Sequence, residues 1–596
     1  MSSRDDLDCD NAPAKNSRQA QENSKRPITI ACGLFLFLAT AAVVVWQNSR
    51  LAVLWDVSYV LENAFRISLG QVPYRDFPFP YAPLTFLVQA AIIKLTGHIF
   101  WHTIVYTAIV GGAGTFLTWR IAGNRLDNSV RQARLLSFLL SLPLVVLGIY
   151  CIFPHPFYDP DCTFAILIGV ILLQLAERKP ASSLLPVVAG ISLVIPLFVK
   201  QNTGLAFVLS GLAGMIVLML IEGFRRATVR RYLITLVAAL TTLAIAIMLI
   251  HFTAGLKNYW HWTIQFAAER RTPARTEMLG IYKGKPLLLS LLIAAIGIAS
   301  AWFLRKRSRW LTALCGLIVA APFAWPAIYL LLDRDPSERA ERLLNLWPLV
   351  LIVSFVLALI TIRKRRGLNL ILPFVLIATI NGAFMSQQLW GSTYAIWPLF
   401  VILLCDMVAS FSVIFKNSSG LFLLPAAAVM VLSLLISGAF YVRSHERLTY
   451  ANLDEGALTK SSLLPLKGMA TRGAWLPNFE ELIRYTDTNI PRDEPILIIP
   501  GEDLFYYTTG RRPQFPVLLF DHTVNPYSPE EILKLARERN IRWVIIKQDL
   551  QDEDEQLERE RDRLTEALEE EFEQVESLKN YDVYKRIEGN ESDEDK

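Results

Sequence analysis

Charge is scarce in this chain. Asp, Glu, Lys and Arg make up 19% of its 596 residues, whereas a soluble protein carries about 25%. Bases and acids nearly balance, 59 against 54, for a net charge of +5. That modest excess is spread over many short loops and reads as membrane topology, not a nucleic-acid patch, so no nucleic acid is expected as a partner. Cysteine is also sparse: Cys9, Cys32, Cys151, Cys162, Cys315 and Cys405. None follows residue 405, so the hydrophilic C-terminal part holds no disulfide, and no spacing suits zinc. The chain also lacks a Gly-rich phosphate loop, a G-x-S-x-G elbow and an H-E-x-x-H pair.

What the chain has in abundance is apolar sequence, at 53% hydrophobic residues and a mean hydropathy of +0.36. Runs such as Leu233–Ile250 and Leu421–Phe440 approach the length that crosses a bilayer. The first, Ile28–Trp46, follows a polar tail and precedes no small-residue cleavage site, so it reads as a retained helix. About thirteen spans are expected by this criterion: 28–46, 99–119, 134–152, 162–177, 184–199, 203–222, 231–251, 286–304, 310–332, 344–361, 369–386, 394–414 and 420–441.

Arginine and lysine cluster in alternate loops, at Arg120–Arg134, Arg178–Lys179, Arg225–Arg231, Arg305–Arg309 and Arg363–Arg366. The positive-inside rule makes those loops cytoplasmic. Loops 47–98, 153–161 and 252–285 are then external. Pro83–Gly97 is short and contains Gln89 and Lys94, so it reads as an interfacial or re-entrant helix, not a crossing. Within Leu54–Leu69, apolar residues recur every three or four positions, with Glu62 and Arg66 as an i,i+4 pair on another face. This segment is expected to lie on the membrane with Asp56 at its head.

The domain plan is a cytoplasmic tail (1–26), a transmembrane region (27–441), an external α/β domain (442–587) and a disordered tail (588–596). In the α/β domain, Ser528-Pro529-Glu530-Glu531 forms a capping box that opens a helix. Asn478-Phe479-Glu480-Glu481 is read as another helix start. Strands are expected at Pro495–Pro500, Arg542–Gln548 and Tyr581–Ile587, with a charged helix over 551–578.

Candidate site residues lie in the external loops. Asp56 and Asp76 share the first. Asp56 could be a solvated acid at a helix N-terminus or a general base near the membrane surface. In Phe153-Pro154-His155-Pro156-Phe157-Tyr158-Asp159-Pro160-Asp161, Asp159 could be a helix cap. Asp161, at the head of a span, suits a metal or an acceptor hydroxyl, with His155 beside it. Lys200 is either a snorkelling lysine or a lipid-phosphate ligand. Trp260 belongs to an aromatic group typical of membrane interfaces, and Arg270 and Arg271 add planar donors suited to phosphate.

The stretch Trp55-Asp56 … Gly70-Gln71-Val72-Pro73-Tyr74-Arg75-Asp76-Phe77 … Tyr81-Ala82-Pro83-Leu84 resembles the first external loop of the GT-C glycosyltransferases. The likeness is to relatives of dolichyl-phosphate-mannose protein mannosyltransferase and of lipid A aminoarabinose transferase. It covers roughly residues 28–415. It implies a GT-C membrane fold and transfer, with inversion, of a sugar from a polyprenyl-phosphate donor to a glycan, lipid or protein acceptor. It places the catalytic Asp on Asp56, the second-loop Asp on Asp161, the lysine on Lys200 and the aromatic–arginine loop on Trp260–Arg271. Two positions depart from the pattern. Val57 stands where many members have Glu after the Asp, and Tyr81-Ala82 stands where the aminoarabinose transferase has Glu-Lys, a role that Asp76 could partly fill. A divalent cation would be compatible with this chemistry but is not required. The bacterial plasma membrane is the expected location. A flippase of lipid-linked sugars or a non-catalytic scaffold are the rival classes.

Overall fold

A computed structural model describes residues 12–127, 133–222, 226–270, 279–304, 308–332, 341–386, 393–415, 419–443, 448, 453, 455–551 and 555–587. Among these, nine helices are long and apolar enough to cross a membrane, as an integral membrane protein requires. In chain order the first ten helices are α1 (Ala12–Asn48), α2 (Leu54–Ser68), α3 (Leu84–Thr96), α4 (Phe100–Leu126), α5 (Ala133–Ser141), α6 (Leu144–Leu147), α7 (Tyr158–Arg178), α8 (Leu184–Val194), α9 (Gln201–Ile221) and α10 (Arg226–Thr253).

The remaining four expected spans differ from the nine. The expected span 134–152 breaks at Leu142-Pro143 into α5 and α6, because proline cannot donate the helical N–H. Leu184–Phe198, Leu346–Ile360 and Leu368–Phe384 are apolar but shorter. Close packing of α1 against α4 depends on glycine. A Cβ on Gly112 would lie 2.7 Å from the Phe37 carbonyl oxygen, a small-residue contact typical of membrane helices.

The C-terminal region builds a four-stranded sheet from β3 (Ile496–Ile499), β4 (Trp543–Lys547), β5 (Phe572–Ser577) and β6 (Tyr581–Arg586), in the order β3-β4-β6-β5; β1 (Leu458–Lys460) and β2 (Ala470–Arg472) form a separate hairpin. β3 and β4 run parallel, pairing Ile496 with Trp543, and the other pairs are antiparallel. The Ser528–Glu531 capping box opens the helix Pro529–Glu538. Two boundaries move. The helix read at Asn478 begins at Trp475. The charged helix expected over 551–578 is confined to Glu555–Leu568, and Phe572–Ser577 is a strand. Its paired backbone and the single buried Phe572 decide this, despite polar side chains on both faces.

α2 corrects a second expectation. Most of it is buried, Glu62 and Arg66 included. Leu54, Val57, Leu61 and Phe65 share one apolar core with Leu476, Phe479, Tyr507 and Ile545. The C-terminal region therefore covers the helix that was expected to lie open on the membrane. Glu62 and Arg66 both engage that region. Glu62 accepts the Tyr507 N–H at 3.1 Å, and Arg66 donates to the Pro516 carbonyl at 2.8 Å. Burial raises the Glu62 carboxyl pKa to about 8.

Candidate active site

The site is built where α2 begins. Asp56 lies in its first turn, where the helix dipole favours negative charge. The chain end of this helix is held by groups distant in sequence. The Val53 N–H donates to His155 Nε2 at 3.1 Å, and the Leu54 N–H donates to Gln551 Oε1 at 2.7 Å. Gln551 Nε2 in turn donates to the Ala52 carbonyl at 3.0 Å. His155 is fully buried, and burial pushes its pKa down to about 3. It is neutral, with Nε2 as acceptor, and it orients α2.

Asp76 closes the turn that follows α2. Its carboxylate accepts the Val72 N–H at 2.7 Å and the Arg75 Nε–H at 2.8 Å. Hydrogen bonding from the Arg75 guanidinium holds its carboxyl below the usual range. A general base works best with a pKa near the operating pH, so these contacts suit Asp76 to fixing the loop. Tyr74, at φ +68°, donates its hydroxyl to the Tyr81 carbonyl at 2.6 Å.

The second external loop leads into α7. The Asp161 carboxylate accepts hydroxyls from Thr85 (2.8 Å), Tyr106 (2.6 Å) and Tyr150 (2.6 Å). It thereby ties α7 to α3, α4 and the segment after α6. Asp159 forms a buried ion pair with Lys200, the residue that precedes α9. Lys200 Nζ also lies 5.7 Å from the Tyr158 ring centroid. Beside it, Gln201 Nε2 donates to the Pro80 carbonyl at 3.3 Å.

Aromatic contacts join these parts. Tyr59, one helical turn after Asp56, lies 4.8 Å from Tyr81, and Tyr81 lies 4.9 Å from Tyr158. A continuous row of rings thus runs from Tyr59 in α2 to the Asp159–Lys200 pair. Tyr74 meets Tyr259 at 5.0 Å, which brings in loop 252–285. Leu519 and Val524 of the C-terminal region pack into the same cluster.

Two candidates of loop 252–285, Trp260 and Arg270, lie outside this row. Trp260 is 55% exposed. Arg270 donates from Nη1 to the carbonyls of His522 and Asn525, each at 3.0 Å, and its guanidinium carbon lies 5.0 Å from the Phe266 ring centroid. Arg271 lies outside the described residues. Among the described residues, no three His, Cys, Asp or Glu side chains come together as a metal site.

Sequence reasoning missed Thr85, Tyr106, Tyr150 and Gln551 as supports of the site. Hydroxyls inside apolar spans were the available signal for Tyr106. Gln551 carried none, because its role depends on a contact nearly 500 residues away in sequence.

No family model matches the chain, and no curated relative is found. Two sets of solved structures are similar to it. ArnT from Cupriavidus metallidurans bound to undecaprenyl phosphate aligns at 12% identity and TM-score 0.44, covering 95% of this chain and 98% of that one. The Archaeoglobus fulgidus oligosaccharyltransferase in complex with Zn and sulfate aligns at 11% identity and TM-score 0.45, covering 86% and 68%. Both are GT-C glycosyltransferases.

Proposed function

We propose that the chain is a membrane glycosyltransferase that takes a sugar from a polyprenyl-phosphate donor. The observation that carries this reading is the row of rings from Tyr59, one helical turn after Asp56, to Tyr158 beside the Asp159–Lys200 pair. A cation lies beside the Tyr158 end of this row, and Asp56 precedes its Tyr59 end by one helical turn. Asp56 takes the proton from an acceptor hydroxyl. The acceptor oxygen attacks the anomeric carbon from the face opposite the leaving group, the carbon–oxygen bond to phosphate breaks, and the electron pair leaves with the phosphate. Inversion follows. Lys200, with its cation already oriented by Asp159, stabilises the departing phosphate. Asp161 positions α7, since its oxygens already hold three hydroxyls. Asp76 fixes the loop. Arg270 bounds the donor side near the C-terminal region, and Trp260 anchors that loop at the lipid interface.

In this reading the N-terminus is cytoplasmic, and loops 47–98 and 252–285 and the C-terminal region face outward, away from nucleotide-linked sugars. The isoprenoid tail of the donor lies in the bilayer beside the site. The acceptor is a glycan, lipid or protein. Lipid profiling of a deletion strain tests the reading. One polyprenyl-phosphate sugar should accumulate while an outer glycan loses that sugar. An unchanged lipid-linked pool and unchanged glycans would count against it.

A further inference from the structure

The end of the bundle opposite the candidate site holds a cavity. α7 has 21 residues, and at ~1.5 Å per residue its C-terminus lies about 30 Å from Asp159. The cavity there measures about 570 Å³ and is lined by Arg125, Arg178, Arg231, Lys364, Arg365 and Arg366. Its lining carboxylates, Glu177 and Glu222, serve the loop that carries the last three cations. Glu177 accepts the Leu368 N–H at 3.1 Å, and Glu222 accepts the Gly367 N–H at 3.2 Å. Gly367 sits at φ +55°, and a Cβ there would lie 1.7 Å from Glu177 Oε1, so only glycine fits.

The floor is a buried charge cluster. Asp406 accepts from Arg125 Nε at 2.6 Å and from both terminal amino groups of Arg365, at 2.8 and 2.7 Å. Arg365 is completed by Thr361, Asn369 and Ser410. Arg231 keeps a buried Nε with no hydrogen-bond partner. Six cations around one cavity exceed its acids, and arginine forks match phosphate oxygens. Topology alone requires positive charge on this face, but not a fixed loop over a built cavity.

A chamber lined by cations at the end of membrane helices lies where lipid headgroups lie, and basic pockets between such helices suit phosphate headgroups. We propose that this end of the bundle binds an anionic phospholipid through its phosphate, held in the cationic cavity. The site is independent of the transfer reaction proposed above.

The test uses the full chain in nanodiscs of phosphatidylcholine and phosphatidylglycerol in equal amounts, with retained lipid counted by native mass spectrometry after mild detergent extraction. Phosphatidylglycerol should be retained at least tenfold over phosphatidylcholine. R178Q/K364Q/R366Q alters three exposed side chains and should abolish that preference. K179Q/R230Q/R363Q removes three exposed cations that do not line the cavity, and should stay within twofold of the parent. Equal losses in both triples would reduce the effect to diffuse surface charge and overturn the site. A second measurement needs no variant. Phosphatidylglycerol should raise the melting temperature of protein in phosphatidylcholine discs, and millimolar inorganic pyrophosphate should not. An equal rise with pyrophosphate would make this a soluble-anion site and refute the lipid assignment.

Discussion

Replacing Lys200 by Met should remove two things at once, and they can be separated. Lys200 and Asp159 are both nearly buried, with side chains 7% and 9% exposed. Removing one partner of such a pair leaves an uncompensated charge, at a cost of about 3–5 kcal/mol. The charge-assisted contact to a phosphate should contribute a further ~1.5–3 kcal/mol to the reaction. That corresponds to about a tenfold to hundredfold loss of donor use, since ~1.4 kcal/mol is a factor of ten. The single variant K200M confounds the two effects. D159N/K200M removes both charges, and its thermal stability should return to within about 1–2 kcal/mol of the parent, because a buried pair replaced as a unit is often near neutral. Its kcat/KM for a polyprenyl-phosphate sugar should stay depressed. A double variant that regains both stability and donor use would show that Lys200 serves the fold alone, and the phosphate would be bound elsewhere.

Asp56→Asn preserves shape and removes basicity, so transfer in membranes with normal protein levels should fall by about 10²–10⁴-fold; near-normal transfer would remove Asp56 from the mechanism. Glu62, at a pKa of about 8, binds a proton in the folded protein that the unfolded chain releases near its usual value of 4.5. Its contribution is therefore complete below about pH 4.5 and is lost as pH rises through 8. Melting curves from pH 6 to 9 should show parental stability falling faster than that of E62Q, and parallel curves would contradict this. A Cys at exposed Lys579 should react with a membrane-impermeant thiol reagent in spheroplasts, and a Cys at exposed Lys364 should not. The reverse pattern would invert the orientation. Arg270→Ala should weaken donor use by about tenfold through the lost anchor to His522 and Asn525, read from donor concentration dependence in purified protein.

Much of the architecture was legible because membrane helices announce themselves by length and apolarity alone. The helices α2 and α3 were legible from periodicity and from the charge pattern of later loops. The surroundings of α2 were not. Its apolar stripe fits a membrane surface and a protein core equally well, and only the C-terminal region settles which covers it. Glu62 and Arg66 illustrate the limit. At i,i+4 spacing they read as a surface pair, yet each is matched by backbone groups far along the chain. Phe572–Ser577 was hidden because Glu573, Gln574 and Glu576 carry helix-forming side chains, while strand identity came from pairing with β6. In the site, acids and lysine were visible by residue type. Their partnership was not: nothing in sequence pairs Asp159, rather than Asp161, with Lys200.

The most direct test of transfer is performed on purified protein in nanodiscs supplied with a panel of fluorescent polyprenyl-phosphate sugars and a cell-envelope acceptor fraction. One donor should release free polyprenyl phosphate with a linked, inverted sugar on the acceptor, and Asp56→Asn should abolish release. Movement of an intact lipid-linked sugar across the bilayer, with no phosphate released from any donor, would contradict the account and identify a flippase.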